Sequence, residues 1–423
     1  MKLTVVLSLL LLAFISCDNY GVLVAGSNTW PNYRHQADVY HAYQILKARG
    51  MKPENIIVFD YDDIANNARN PFPGKVFNSP AGIDVYEGVV IDYFGVDVTP
   101  ENFVAAMIGD ADSVTKKDSR TTGKVLTSTE NDNIFVFFSG HGSDNLIAFP
   151  SKYLYADELN DALMTMNEKK MYKQLVFYLE AKSIFEKYLP TNIKIYTLAI
   201  DNSHGSSGDY CGSYAKVNGT TIGTCLADEF SRKYMEDIDS RPGDLLKHYT
   251  LQEQYEYLVK AVTNTQVAQY GDLEVAQKSI FNFVSGETKK FLNFFKNMVD
   301  IILPKINEET TKIKNENYRL EWFKMQAKQL NNMEAENEYY EEVAQEGRTT
   351  KIFEIFKNEF KLPERNYNDE VNFDCYRTVV NAYEQKCGML IDRDFKFMTH
   401  IANFCTQGIN LEKAVDAFAT ICE

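Results

Sequence analysis

Three short stretches carry residues able to do chemistry together. Ser139-Gly140-His141-Gly142-Ser143 sets an imidazole between two glycines directly after an apolar run. There it could move a proton while the backbone N–H of Gly142 points at an oxyanion. The same residues also read as a turn whose glycines merely permit tight geometry. Glu180-Ala181-Lys182-Ser183 follows a second apolar run. Asn32-Tyr33-Arg34-His35-Gln36 supplies Arg34, whose fork of donors suits an anionic or amide group, and Asn32, able to orient an imidazole. By itself, Arg34 also reads as a solvated or ion-paired surface residue.

The elements that would position these groups alternate. Short β-rich runs at Gly21–Ala25, Ile56–Phe59, Ile134–Phe138, Gln174–Leu179 and Ile193–Leu198 are interleaved with helical stretches such as His35–Arg49. That is an α/β pattern with a mostly parallel sheet. Ile134–Phe138 and Leu175–Leu179 are continuously apolar, as central strands covered on both faces must be. Between them, Leu159, Leu163, Met166 and Tyr172 recur at roughly helical spacing and predict the crossover helix over 155–172. Ligands of an open α/β sheet bind outside the carboxyl ends of its strands, where His141 and Lys182 fall.

The chain has 423 residues, with 44 Lys+Arg against 59 Asp+Glu, net charge −15, and 45% hydrophobic residues. This is a globular balance that excludes a disordered or fibrous chain. At roughly 150 residues per domain it predicts two or three domains. The acidic excess is dispersed and no long basic run occurs, which argues against nucleic acid or an anionic membrane and for peptides or proteins as partners. Leu3–Ile15, 13 residues, is too short to span a bilayer and reads as a secretory signal peptide over 1–17, with Cys17 at the cut. In an oxidising lumen Cys211, Cys225, Cys375, Cys387, Cys405 and Cys422 form an even set suited to disulfides. The expected organisation is an α/β domain over 18–285, a charged helical linker over 286–348, and over 349–423 a small helical bundle stapled by two bridges. Asn218-Gly219-Thr220 is both an N-glycosylation sequon and a turn signal. No metal or other cofactor is expected.

These pieces together resemble the legumain (asparaginyl endopeptidase) family of caspase-like cysteine peptidases. The resemblance is carried by Gly26-Ser27-Asn28 through Asp38, Tyr61-Asp62-Asp63-Ile64-Ala65, Asn70-Pro71-Phe72-Pro73-Gly74 and Asp84-Val85-Tyr86-Glu87-Gly88-Val89. It continues through Asp97-Val98-Thr99-Pro100-Glu101-Asn102-Phe103, Gly140-His141-Gly142-Ser143, Tyr178-Leu179-Glu180-Ala181 and Tyr234-Met235-Glu236-Asp237. It implies a caspase-like domain followed by a death-domain-like prodomain that covers the active-site face, in a lysosomal, vacuolar or secreted protein. It implies His141 as the catalytic imidazole, Asn32 as its orienting partner and Gly142 at the oxyanion. The pocket for a substrate Asn side chain falls on Arg34, Glu180 and Asp228, with Ser206 or Ser207 on its wall. The implied bridges are Cys211–Cys225, Cys375–Cys405 and Cys387–Cys422.

One position departs from the family. The Glu-Ala pair is followed there by the nucleophilic Cys; here it is followed by Lys182, and the loop beyond is about two residues shorter. A thiolate does this chemistry, and a lysine with an unperturbed pKa near 10.4 is protonated at acid pH. The expectation is a pseudoprotease that keeps its Asn pocket, with Lys182 reaching Glu180 or Asp228 as a plug. The competing expectation is an active endopeptidase cleaving after Asn, of cysteine type or dependent on Ser183.

Overall fold

The computed structural model describes residues 18–182, 184–185, 187–200, 207–286, 313–314, 320, 322–324, 326–327, 333–367 and 369–422. The apolar leader, Ser183, Ser206 and most of the expected linker lie outside the described residues. A seven-stranded sheet organises the chain: β1 (Asn19–Ala25), β2 (Ile56–Asp60), β3 (Tyr93–Phe94), β4 (Asn133–Ser139), β5 (Gln174–Lys182), β6 (Ile195–Ile200) and β7 (Val267–Gly271). Their order is β7-β6-β5-β4-β1-β2-β3, parallel except for β7. The expected mostly parallel α/β architecture is therefore present.

Every residue of β4 is buried, and its alternate side chains feed two cores. Phe135 and Phe137 face the side covered by α1 (Tyr33–Ala48), where Tyr40 and Tyr43 are also buried. Val136 and Phe138 face the side covered by α2 (Pro100–Met107) and α3 (Ala156–Glu168). Thr99 starts α2 by accepting the Asn102 N–H at 3.2 Å, with Pro100 at the first helical position. The crossover helix turns Leu159, Leu163 and Met166 inward, and Tyr172 packs on the same core beyond its end.

The expected strand ending at Leu179 runs on through Lys182. Leu179 pairs with Ala199 and Lys182 with Ile200, so a bulge lies between them. Lys182 is thus fixed on the ladder and not carried by a loop. The α1 side is closed by α4 (Glu229–Asp239) and α5 (Leu251–Ala261). Short antiparallel strands at Gly142–Ser143, Leu146–Ala148 and Tyr153–Tyr155 rise from the carboxyl end of β4.

That ribbon carries the C-terminal helices: α6 (Met333–Glu359), α7 (Phe373–Cys387), α8 (Met398–Phe404) and α9 (Leu411–Ile421). Leu146, Ala148 and Tyr155 belong to the same apolar cluster as Phe353, Phe356, Tyr376 and Phe418. Cys375–Cys405 and Cys387–Cys422 tie α7 to the residues ending α8 and α9, and Cys211–Cys225 closes a loop in the α/β domain. No helix among the described residues is long and apolar enough to cross a membrane.

Gly26 ends β1 where no Cβ fits: one built there would lie 2.3 Å from Phe138 Cζ and 2.5 Å from the Ala148 carbonyl oxygen. Gly26→Ala is expected to destabilise the α/β domain by about 1–3 kcal/mol, the usual cost of overpacking. A urea midpoint matching that of the natural chain would disprove the close approach.

Candidate functional site

Two residues after the buried strand β4, the ring of His141 lies 2.9 Å through Nε2 from Asn32 Oδ1. Asn32 Nδ2 donates to the Asn28 carbonyl at 3.1 Å, so its oxygen faces the imidazole and His141 Nε2 carries the hydrogen. Nδ1 is left as the basic nitrogen. A Cβ on Gly142 would stand 3.1 Å from Ala181 Cβ and 3.3 Å from the Lys182 nitrogen, which puts the Gly142 backbone against the end of β5.

At that end, Lys182 does not plug the expected carboxylates. Its ammonium pairs with Asp144, whose side chain is only 2% exposed. Glu180 is turned toward α4 and Asp228 toward α1, each held by its own partners. Tyr367 lies over the Lys182 ammonium at 5.0 Å, and Arg365 Nε lies 3.8 Å from Asp144 Oδ2. The Tyr376 hydroxyl donates to the Asp144 carbonyl at 2.9 Å. Burial pushes the Arg365 guanidinium below its ordinary range. Phe395 stacks on His141 with centroids 5.9 Å apart, and its carbonyl accepts from Ser143 Oγ at 2.6 Å. The C-terminal helices therefore sit directly over His141 and Lys182.

The pocket residues converge beside them. Arg34 is fully buried, which removes the surface reading, and its Nε donates to Asp228 Oδ1 at 2.9 Å. Its Nη1 donates to the Pro31 carbonyl at 3.2 Å. Glu180 Oε2 accepts from the Ser231 N–H at 2.5 Å and from the Ser231 hydroxyl at 2.7 Å. Glu180 Oε1 and Asp228 Oδ2 are buried without a hydrogen-bond partner among the described residues. Burial, then repulsion from Asp228 and Asp38, drives the Glu180 carboxyl well above its usual range. Asp228 is also pushed up by burial, against the pull of Arg34. Ser207 is buried in a strand whose next residue, Gly208, pairs with Asp228; Ser206 lies outside the described residues.

Several contributors were not singled out from the sequence. His35 accepts or donates through Nδ1 to Ser27 Oγ at 2.6 Å and places Nε2 3.3 Å from Asp228 Oδ2. Burial, Arg34 and His141 lower its pKa well below 6.5, so it is neutral. Asp38 Oδ2 accepts from the Asp228 N–H and from Ser139 Oγ, each at 3.2 Å. His35 and Asp38 follow Arg34 by one and four residues on the first turns of α1, and that spacing was a usable signal. Asp144 and Ser231 had none, since each acts on a residue remote in sequence.

The Peptidase C13 family model matches residues 19–289, and the legumain prodomain model matches 354–422. The chain is 36% identical to a vacuolar-processing enzyme of Citrus sinensis, covering 96% of this chain and 85% of that one. It is 46% identical to legumain of Mus musculus over 62% of this chain and 58% of the other. It is 34% identical to a hemoglobinase of Schistosoma mansoni over 96% and 92%. A crystal structure of caspase-1 from Spodoptera frugiperda aligns with TM-score 0.34 at 10% identity, covering 60% of this chain and 87% of that chain.

Asp144→Asn removes the buried carboxylate that Lys182 and Arg365 share. It is expected to cost about 3 kcal/mol, the loss typical of breaking a buried ion pair by removing one partner, whereas removing Arg365 alone costs less. Urea unfolding of both variants tests this order, and equal midpoints would contradict it.

Proposed function

The chain belongs to the Peptidase C13 family, and from that premise we propose that it is a legumain-like protein that recognises Asn-containing peptides but is impaired in cleaving them. The observation that carries this reading is Lys182, ion-paired with Asp144 beside His141, where the family's chemistry requires a thiolate. An ammonium held by a carboxylate has no lone pair to offer a carbonyl. Losing the nucleophile of such a triad costs about 10⁶ in rate, with only ~10³–10⁴ over water left to binding and the oxyanion donors. His141 and Asn32 keep the geometry of a base and its orienting partner, and Gly142 supplies the N–H for an oxyanion.

The pocket supports the recognition half. A neutral side-chain amide both donates and accepts, and the pair of unsatisfied carboxylate oxygens on Glu180 and Asp228 can take its NH₂ while Arg34 meets its oxygen. The C-terminal helices act as a prodomain over this face. The name vacuolar-processing enzyme and the legumain resemblance together support a vacuolar, lysosomal or secreted setting, reached through the apolar leader. There Asn218, exposed at the tip of the hairpin formed by Lys216–Val217 and Thr220–Thr221, serves as a glycosylation site.

The test is hydrolysis of a fluorogenic peptide ending in Asn, at acid pH after the C-terminal helices are displaced. The natural chain is expected to show no turnover and Lys182→Cys to gain it. Lys182→Cys combined with Asp144→Ser should be faster still, because a neighbouring carboxylate holds a thiol in its protonated form. Turnover by the natural chain would overturn the reading and make Ser183 the next residue to replace.

A further inference from the structure

An open cavity of about 90 Å³ is lined by His41, Gln44, Asn78, Asp84 and Asp239 among others. His41 Nε2 is 2.9 Å from Asp239 Oδ2, and its Nδ1 is 2.8 Å from the side chain of Asn78. The Asn78 amide has one orientation open to it. Its Nδ2 donates to Asp38 Oδ1 at 2.8 Å and to the Leu226 carbonyl at 3.0 Å, so its oxygen must face His41. Both ring nitrogens then face acceptors, and an imidazole meets that demand only with a hydrogen on each.

We infer that His41 is a positioning residue for the pocket: as an imidazolium it fixes the Asn78 amide, which holds Asp38 where it receives the Asp228 N–H. The inference rests on the pocket reading given above. The path is continuous. His41 grips Asn78, Asn78 grips Asp38, and Asp38 accepts from the backbone of Asp228, which holds Arg34. Burial opposes charge on His41, but the bond and charge of Asp239, with Asn78 and Glu236, outweigh it and raise its pKa above 6.5. Asp239 and Glu236 face it from α4, Asp84 from the cavity wall, and Arg49 acts on Asp239 from the end of α1.

The sign follows. A histidine whose folded pKa is raised keeps its proton to higher pH than a free imidazole and loses it as pH rises through the raised value. Below it, Asn78 is locked. Above it, the bare nitrogen repels the amide oxygen, and Asn78 is held only by its own bonds to Asp38 and the Leu226 carbonyl, so its grip on Asp38 loosens. The pocket is therefore best ordered under acid conditions, and His41 reads the pH through a solvent-facing cavity.

The experiment needs no ligand and uses the intact chain. With six histidines, ¹³C-labelled histidine resonances can be followed singly by NMR across pH. His41 is expected to titrate above 6.5, and His35, which stays neutral beside Asp228, to show a chemical-shift inflection at the His41 midpoint. Asp239→Asn should lower both midpoints together by about one pH unit. Asn78→Ala should leave His41 titrating while the His35 inflection disappears. A His41 midpoint below 6.5, or a His35 inflection unchanged in Asn78→Ala or failing to move with His41 in Asp239→Asn, would overturn the inference. Coupled titrations in a chain whose Lys182→Cys form leaves Asn peptides uncut would sink the pocket reading instead and leave the positioning role standing.

Discussion

A guanidinium sealed from water must find its counter-charge within the protein, and the burial of Arg34 sets the terms for what lies around it. Asp228 stands 194 residues along the chain, so the pair closes only if its strand docks on the start of α1. Asp38, one turn beyond Arg34, takes the Asp228 N–H and fixes that docking from the backbone side. Concentrating Asp38, Glu180 and Asp228 in one dry volume is costly, and the rise in all three pKa values is that cost made visible. The volume stays polar because each carboxyl has donors on part of its surface, while Glu180 Oε1 and Asp228 Oδ2 have no hydrogen-bond partner among the described residues.

Lys182 poses the same problem a few residues from Glu180 and solves it differently. A cation at the carboxyl end of a central strand, nearly shut off from solvent, is tolerated because Asp144 turns to meet it from the neighbouring ribbon. The second cation at Asp144, Arg365, comes from the C-terminal region, and Tyr367 lies beneath both. Charge balance at Lys182 thus involves the α/β domain and the C-terminal region together. Buried pairs of this sort add little net stability but strongly penalise arrangements that separate them, so their main effect is to specify one seating of the helices.

Much of this was legible beforehand, where a local pattern decided the outcome. Five of the sheet's strands announced themselves as apolar runs, because a strand covered on both faces has no room for polar alternation. The crossover helix showed its period in Leu159, Leu163 and Met166. The extension of β5 to Lys182 was hidden because the charged Glu180 and Lys182 end the apolar run, and the bulge that carries the strand past them leaves no mark in the sequence. β3, two residues long, and β7, an antiparallel edge strand, lacked the length or apolarity to stand out. At the site, His141, Asn32 and Arg34 were visible as types and spacing, while Asp144 was not: its meaning depends on an ion pair with a residue 38 positions away. Lys182 could be seen to lack a thiol, but its partner could be identified only once the ribbon was in place.

The bridge between Cys211 and Cys225 has a bearing on where such a pocket can exist. A Cβ on Gly208 would stand 2.9 Å from Cys225 Sγ, so the disulfide presses directly on the backbone of the strand that holds Ser207 and pairs with Asp228. The strand beside Asp228 is braced by a covalent bond that forms under oxidising conditions and is opened by cellular reductants. Redox surroundings, as much as sequence, decide whether the backbone next to Asp228 keeps that buttress.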